Sequence, residues 1–186
     1  MARTLTVKSG SSGNDKYKEG WHELTISHAE YGEFNDSRYL DLMFDGYPDN
    51  LNMRVYEQKG KDGTEFAIGQ VFRFANAGIS DSLDSQTGET VLKIDDSPGE
   101  LVGKELNIFM YKDGDYYRAL NRCAPTPFEG VAETFSENDV EYWKKKAVSY
   151  FDEYVAPNVE GGVPSNGEII PTAEASQSTS NAEMPF

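Results

Sequence analysis

Apolar and polar residues alternate along three stretches in the first part of the chain. In residues 21–30, the apolar Leu24 and Ile26 are separated by polar positions. The same two-residue period recurs in residues 38–44 and in residues 51–56. This period is typical of strands that are buried on one face only. Glycine, proline, aspartate and asparagine separate the second stretch from the third, so we expect three antiparallel strands joined by turns.

The apolar spacing then changes to that of a helix. The residues at helical intervals are Ala67, Val71, Phe74 and Ala75. Asp62 and Glu65 precede them with the spacing of an N-terminal cap, and Gly78 follows them as a stop signal. We therefore predict a helix directly after the third strand.

Two more strands are predicted in residues 106–110 and 116–123, on either side of a turn that contains Asp113 and Gly114. Residues 80–103 are polar and read as an insertion or an extended loop. The order of three strands, one helix and two strands is that of the OB-fold, a five-stranded Greek-key barrel that binds oligonucleotides. We thus expect a mainly β fold with α-helices, in the form of an OB-fold-like five-stranded Greek-key β-barrel.

A C-terminal helix completes the predicted fold. Ser136 and Asp139 have the spacing of a capping box. The apolar and aromatic residues at helical intervals after it are Val140, Trp143, Ala147, Tyr150, Phe151 and Tyr154. A stripe of this kind packs against the body of a domain.

The chain divides into three parts. Residues 1–20 are mostly polar and read as a flexible N-terminal segment, and residues 21–156 form the OB-like domain. Residues 157–186 have neither a helical nor a strand period and are rich in polar residues, so we expect a disordered acidic tail.

Charge argues against an ordinary nucleic-acid binder. The 186-residue chain has 17 basic and 32 acidic residues, which gives a formal net charge of -15. Residues 157–186 contribute four acids and no base, so the rest of the chain is acidic as well. Nucleic-acid binding would then require a local stripe of cations and aromatic rings on an otherwise repelling surface.

Aromatic residues make up 12% of the chain, and several lie on strand faces opposite the aliphatic ones. Exposed rings stack on unpaired bases while nearby cations neutralise phosphates. The residues that we expect to bind single-stranded DNA are Trp21, Tyr39, Arg54, Tyr56, Phe109, Tyr111, Lys112, Arg118 and Arg122. The alternative is that these rings fill a second core beneath the C-terminal helix.

The sequence contains no recognisable catalytic or cofactor site. In a regular strand His22 and His28 share the face of Leu24 and Ile26, so both read as core-edge residues. The single cysteine, Cys123, cannot form a cysteine-built metal site. The segment around Gly99 and Lys104 has the wrong glycine spacing for a phosphate-binding loop, and Glu105 replaces the required Ser or Thr. We therefore expect a protein that is not an enzyme and has no metal or cofactor.

No stretch approaches the roughly 20 apolar residues that would cross a bilayer. The sequence thus predicts no membrane contact and a soluble, cytoplasmic protein.

The chain finishes in an acidic and apolar tip, here called the C-terminal tip, which comprises Glu183, Met184, Pro185 and Phe186. It resembles the C-terminal peptide of bacterial and phage single-stranded DNA-binding proteins, in which a flexible acidic tail closes with an apolar residue, Pro and Phe. The resemblance implies a phage-type protein that coats single-stranded DNA and recruits replication or recombination enzymes through this tip. If a phage encodes it, we expect it in the host cytoplasm. One alternative is an acidic protein-interaction module without DNA affinity, and homo-oligomerisation stays open.

Overall fold

A computed structural model of the chain describes residues 16–83, 86–88 and 90–159. The fold is mainly β with a few helices. The strands are β1 (Gly20–Phe34), β2 (Ser37–Phe44), β3 (Met53–Tyr56), β4 (Ile79–Leu83), β5 (Thr90–Ile94), β6 (Glu105–Asp113), β7 (Tyr116–Ala124), β8 (Phe128–Glu129) and β9 (Thr134–Phe135). The helices are α1 (Ala67–Phe74), α2 (Glu137–Tyr150) and α3 (Ala156–Val159).

Five strands form one antiparallel sheet in the order β3-β2-β1-β6-β7. All five correspond to strands that the alternation predicts. The expected closure into a barrel is not present in the described part of the chain, because no hydrogen-bonded ladder joins β3 to β7. The two edge strands approach each other, but side chains of α1, β3 and β7 line the gap between them.

The long strand β1 serves two neighbours. Its first part pairs with β6 and its second part pairs with β2. A bulge between Ile26 and His28 shifts the register, so the inward-facing set changes from Leu24 and Ile26 to Ala29. The prediction that His28 shares the face of Ile26 is therefore wrong, and its side chain is 61% exposed.

The main core lies between the inner face of the sheet and α1. Its largest buried side chains include Phe44 of β2 and Phe72 and Phe74 of α1. The carboxylate of Glu65 accepts hydrogen bonds from the backbone N–H groups of Ala67 and Ile68, at 2.9 and 2.8 Å, and so satisfies the start of α1.

Residues 80–103 contain more structure than the predicted loop. The strands β4 and β5 pair as an antiparallel hairpin, and Pro98–Leu101 form a single 3₁₀ turn that buries Leu101. Gly78 lies against the backbone carbonyl of Asp95, where a Cβ atom would collide with the oxygen. The polar composition of this hairpin concealed its strands.

The helix α2 begins at the predicted capping box, in which Ser136 and Asp139 bond reciprocally. It continues through a π-helical segment, Phe151–Val155, into α3. This C-terminal unit covers the outer face of β6 and β7 and forms a second core around Tyr111, Leu120 and Ala147. None of the helices among the described residues is long and apolar enough to cross a membrane.

Candidate nucleic-acid interface

Two tyrosines form an aromatic pair on the outer face of β2 and β3. Tyr39 and Tyr56 are directly opposite each other across the two strands. Their ring centroids are 5.5 Å apart and the ring planes are inclined by 60°. Both side chains are half-buried. They lie on the face opposite the buried Leu40 and Val55, as the alternation predicts. We call Tyr39, Tyr56 and the neighbouring Arg54 the β2–β3 platform.

Arg54 joins the aromatic pair through its guanidinium group. The central guanidinium carbon lies 3.9 Å from the centroid of the Tyr39 ring. Its Nε and Nη2 groups donate to Oδ1 and Oδ2 of Asp41, at 2.8 and 2.7 Å. Hydrogen bonding to Asp41 is the main cause that raises the pKa of Arg54. Asp41 is almost fully buried, so a carboxylate already compensates the one cation of the platform.

Two other rings on the predicted list, Phe109 and Tyr111, lie beneath the C-terminal unit. Tyr111 is only 3% exposed, and its ring centroid is 5.1 Å from that of Phe151. Phe109 contacts the same Phe151 ring at 5.2 Å. The expectation that Tyr111 presents an exposed ring is therefore wrong, because α2 and the π-helical segment cover this side of the sheet. Burial also raises the pKa of Tyr111 to about 12.

Two predicted phosphate contacts are engaged inside the protein. Arg118 forms an ion pair with Asp113, with 2.6 Å between Nε and Oδ2. The guanidinium of Arg122 lies 4.5 Å from the centroid of the Tyr150 ring, and burial lowers the pKa of Arg122. Both side chains thus help to hold the protein together. Lys112 is exposed near the end of β6 and does not belong to the β2–β3 platform.

Trp21 borders a groove that the sequence interpretation missed. Its indole contacts Phe109 edge-on at 5.3 Å, and Nζ of Lys144 lies 5.6 Å from the ring centroid. Lys144 and Lys145 of α2 line the groove together with Trp21. The run of three lysines at 144–146 was a usable signal, since it stands out in an acidic chain. Only the packing of α2 on the sheet shows that Lys144 and Lys145 lie beside Trp21.

The described residues contain no group of three or more His, Cys, Asp or Glu side chains that could hold a metal ion. Cys123 is buried, and burial raises the pKa of its thiol to about 12. The thiol therefore stays protonated near neutral pH, which makes it a poor nucleophile or ligand.

Comparisons of the chain with protein-family models, curated protein sequences and solved structures found no match. The four residues of the C-terminal tip lie outside the described residues. The geometry of the β2–β3 platform and of the Trp21 groove therefore carries the functional argument.

Proposed function

We propose that the protein binds single-stranded DNA on the β2–β3 platform. The observation that carries the proposal is the cross-strand pair of Tyr39 and Tyr56, with the guanidinium of Arg54 stacked on one of the rings. Aromatic rings held on a rigid sheet offer stacking surfaces to unpaired bases, and an arginine plane can extend such a surface. Paired bases in a duplex cannot use these surfaces, so single strands are the expected ligand.

The arrangement of the strands supports an OB-like reading of the fold. An OB-fold is a partly open five-stranded Greek-key barrel that binds oligonucleotides on the face of its second and third strands. In this protein the platform lies on β2 and β3, and α1 follows β3 as the sequence order predicts. The long strand β1 pairs with both β2 and β6, and β3 approaches β7. Both features agree with a barrel of this kind that is open between β3 and β7.

The platform contributes stacking rather than charge. Because Asp41 compensates Arg54, binding there releases few counterions, and the affinity for this surface alone depends weakly on salt. Each stacked base contributes about 1–3 kcal/mol. Moderate affinity is the expected consequence for a chain with a net charge of -15.

Fluorescence anisotropy with labelled oligo-dT and with a duplex of equal length tests the proposal. We expect binding of the single strand, and a loss of about 1–3 kcal/mol for Tyr39→Ala and for Tyr56→Ala. Tyr142→Ala is the matched control, since Tyr142 is 50% exposed on α2, outside the platform. Equal affinity for duplex, or no binding to oligo-dT at low salt, would refute the function. Tight binding of a basic protein instead would favour the acidic interaction module.

We further propose that the C-terminal tip recruits replication or recombination enzymes. A proline-stiffened phenylalanine is suited to an apolar pocket on a partner. Phe186→Ala keeps the charge of the tail and removes only the ring. Pull-downs should lose partners with this variant, while the affinity for oligo-dT stays unchanged. Recovery of the same partners by both chains would show that the tip is not a docking peptide.

A further inference from the structure

An open groove lies between the start of β1 and α2. Its volume is about 510 Å³, which is within the range of small-ligand sites. One wall carries the indole of Trp21 and the other carries successive residues of one face of α2. The lining residues are Trp21, Glu141, Lys144, Lys145, Val148 and Ser149.

The groove combines an aromatic face with two lysines, Lys144 and Lys145, and one carboxylate, that of Glu141. Lys144 and Lys145 belong to the only run of three consecutive basic residues in the sequence. Lys144 and Lys145 face the groove, whereas Lys146 is directed to another side of α2, where its Nζ lies 5.2 Å from the Tyr142 ring centroid. The helix therefore separates two lysines that can serve the groove from one that cannot.

Trp21 is held in place for stacking. Phe109, its direct partner across β1 and β6, contacts the indole edge-on at 5.3 Å. The ammonium of Lys144 lies 5.6 Å from the ring centroid. A base that stacks on the indole can displace this ammonium. The ammonium can then contact a flanking phosphate, because the lysine side chain is long and flexible.

We propose that this groove is a second contact point for single-stranded DNA, in which an unpaired base stacks on Trp21 while Lys144 and Lys145 neutralise the adjacent phosphates. The inference rests on the proposed function. The groove also supplies positive charge, which the β2–β3 platform lacks because Arg54 is already paired with Asp41. Lys144 and Lys145 provide this charge.

A nucleotide suits the groove better than an acidic peptide does. The indole offers a flat surface that matches a base, and the two lysines are adjacent on the helix beside it. Glu141 can accept hydrogen bonds from N–H groups on the edge of a base.

Tryptophan fluorescence provides a direct readout. The chain has two tryptophans, so Trp143→Phe leaves Trp21 as the only indole. Titration of the full-length variant with oligo-dT should quench this signal in step with the anisotropy change of the labelled strand. Saturated anisotropy with unchanged Trp21 fluorescence would overturn the proposal. Trp21→Ala should weaken binding by about 5- to 150-fold, which corresponds to one stacked base.

The dependence of affinity on salt tests the lysines separately. Each phosphate contact to a single strand contributes about 0.7 to the slope of log K against log salt. Lys144→Gln and Lys145→Gln should each reduce the slope by about this amount. Lys146→Gln is the matched control, with the same charge change on the same helix, and should leave the slope unchanged. Equal effects of all three substitutions would indicate a general charge effect and overturn the site.

The two proposals fail in different ways. If oligo-dT does not bind the intact chain at low salt, the proposed function fails. If it binds and depends on Tyr39 and Tyr56, but not on Trp21 or Lys144, only the groove fails. If a peptide that ends in Glu-Met-Pro-Phe quenches Trp21 and oligo-dT does not, the groove is a peptide site and the nucleotide assignment is overturned.

Discussion

The ring of Tyr39 on β2 lies over Gly32 on β1, its direct cross-strand partner. A Cβ atom at position 32 would collide with the ring carbons and the hydroxyl of Tyr39. A glycine inside a strand often marks a site where another group approaches closely. The missing side chain therefore determines where the platform ring can lie.

The substitution Gly32→Ala should displace Tyr39 from the platform. We expect a loss in oligo-dT affinity similar to that of Tyr39→Ala, and a decrease of about 1–3 kcal/mol in the free energy of unfolding from overpacking. Gly99→Ala is the control, because a Cβ atom there meets open space. Anisotropy and thermal unfolding measure the two effects. Unchanged affinity of a folded Gly32→Ala variant would mean that the position of the Tyr39 ring is not important for binding.

Tyr111 should behave as a packing residue and not as a binding residue. Its ring is 3% exposed against Phe151, so Tyr111→Ala removes a large buried side chain and should cost about 3–5 kcal/mol. Urea unfolding measures this cost. Tyr142→Ala, at an exposed site, should change the stability by less than about 0.5 kcal/mol. If Tyr111→Ala left the unfolding midpoint unchanged but abolished DNA binding, Tyr111 would be a stacking residue and not a packing residue.

The alternation of side chains predicted the five main strands and which faces the platform residues occupy. Tyr39 and Tyr56 lie on one face of the sheet and Leu40 and Val55 lie on the other, as the two-residue period requires. The period failed at Ile26, where a bulge reverses the faces of β1, because one extra residue in a strand leaves no trace in its composition. The hairpin β4–β5 was missed for a related reason, since polar side chains on its strands hide the pattern.

Tertiary contacts explain the errors in the predicted interface. Phe109 and Tyr111 were placed on the correct outer face, but sequence spacing does not show which strands α2 will cover. Sequence alone likewise does not show that Arg54 is compensated by Asp41, although the two residues are direct partners on β2 and β3. The same limit hid the contact between Trp21 and Lys144, which are far apart in the chain.

Alkaline pH should destabilise the protein through Tyr111. Burial raises the pKa of Tyr111 from 10.0 to about 12 in the folded state. The folded state therefore retains a proton that the unfolded state loses, so the contribution is complete below about pH 10 and is lost as the pH rises towards 12. A shift of two units corresponds to about 3 kcal/mol.

Urea unfolding of the intact chain and of Tyr111→Phe between about pH 9 and 12 measures this effect. The free energy of unfolding of the intact chain should fall relative to that of Tyr111→Phe as the pH rises across this interval, because phenylalanine has no proton to lose. Cys123 also has a raised pKa, but it is present in both proteins and cancels from the difference. A constant difference would show that the hydroxyl of Tyr111 titrates normally.

Asp41→Asn should convert the platform from a neutral surface to a cationic one. The carboxylate of Asp41 now accepts two hydrogen bonds from Arg54, so the arginine has little net charge to offer a phosphate. The amide keeps one acceptor for the guanidinium and removes the negative charge. We expect tighter binding of oligo-dT and a salt slope steeper by about 0.7, which is one additional phosphate contact.

The free energy of unfolding should fall by about 1–3 kcal/mol in Asp41→Asn, because a charged hydrogen bond to Arg54 is lost. Glu129→Gln, at an exposed position on β8, is the control for the change in net charge. Arg54→Ala is a poorer test, since it leaves the nearly buried carboxylate of Asp41 without its partner and so confuses folding with binding. If Asp41→Asn and Glu129→Gln change the slope equally, Arg54 does not contact a phosphate, and the platform binds single strands by stacking alone.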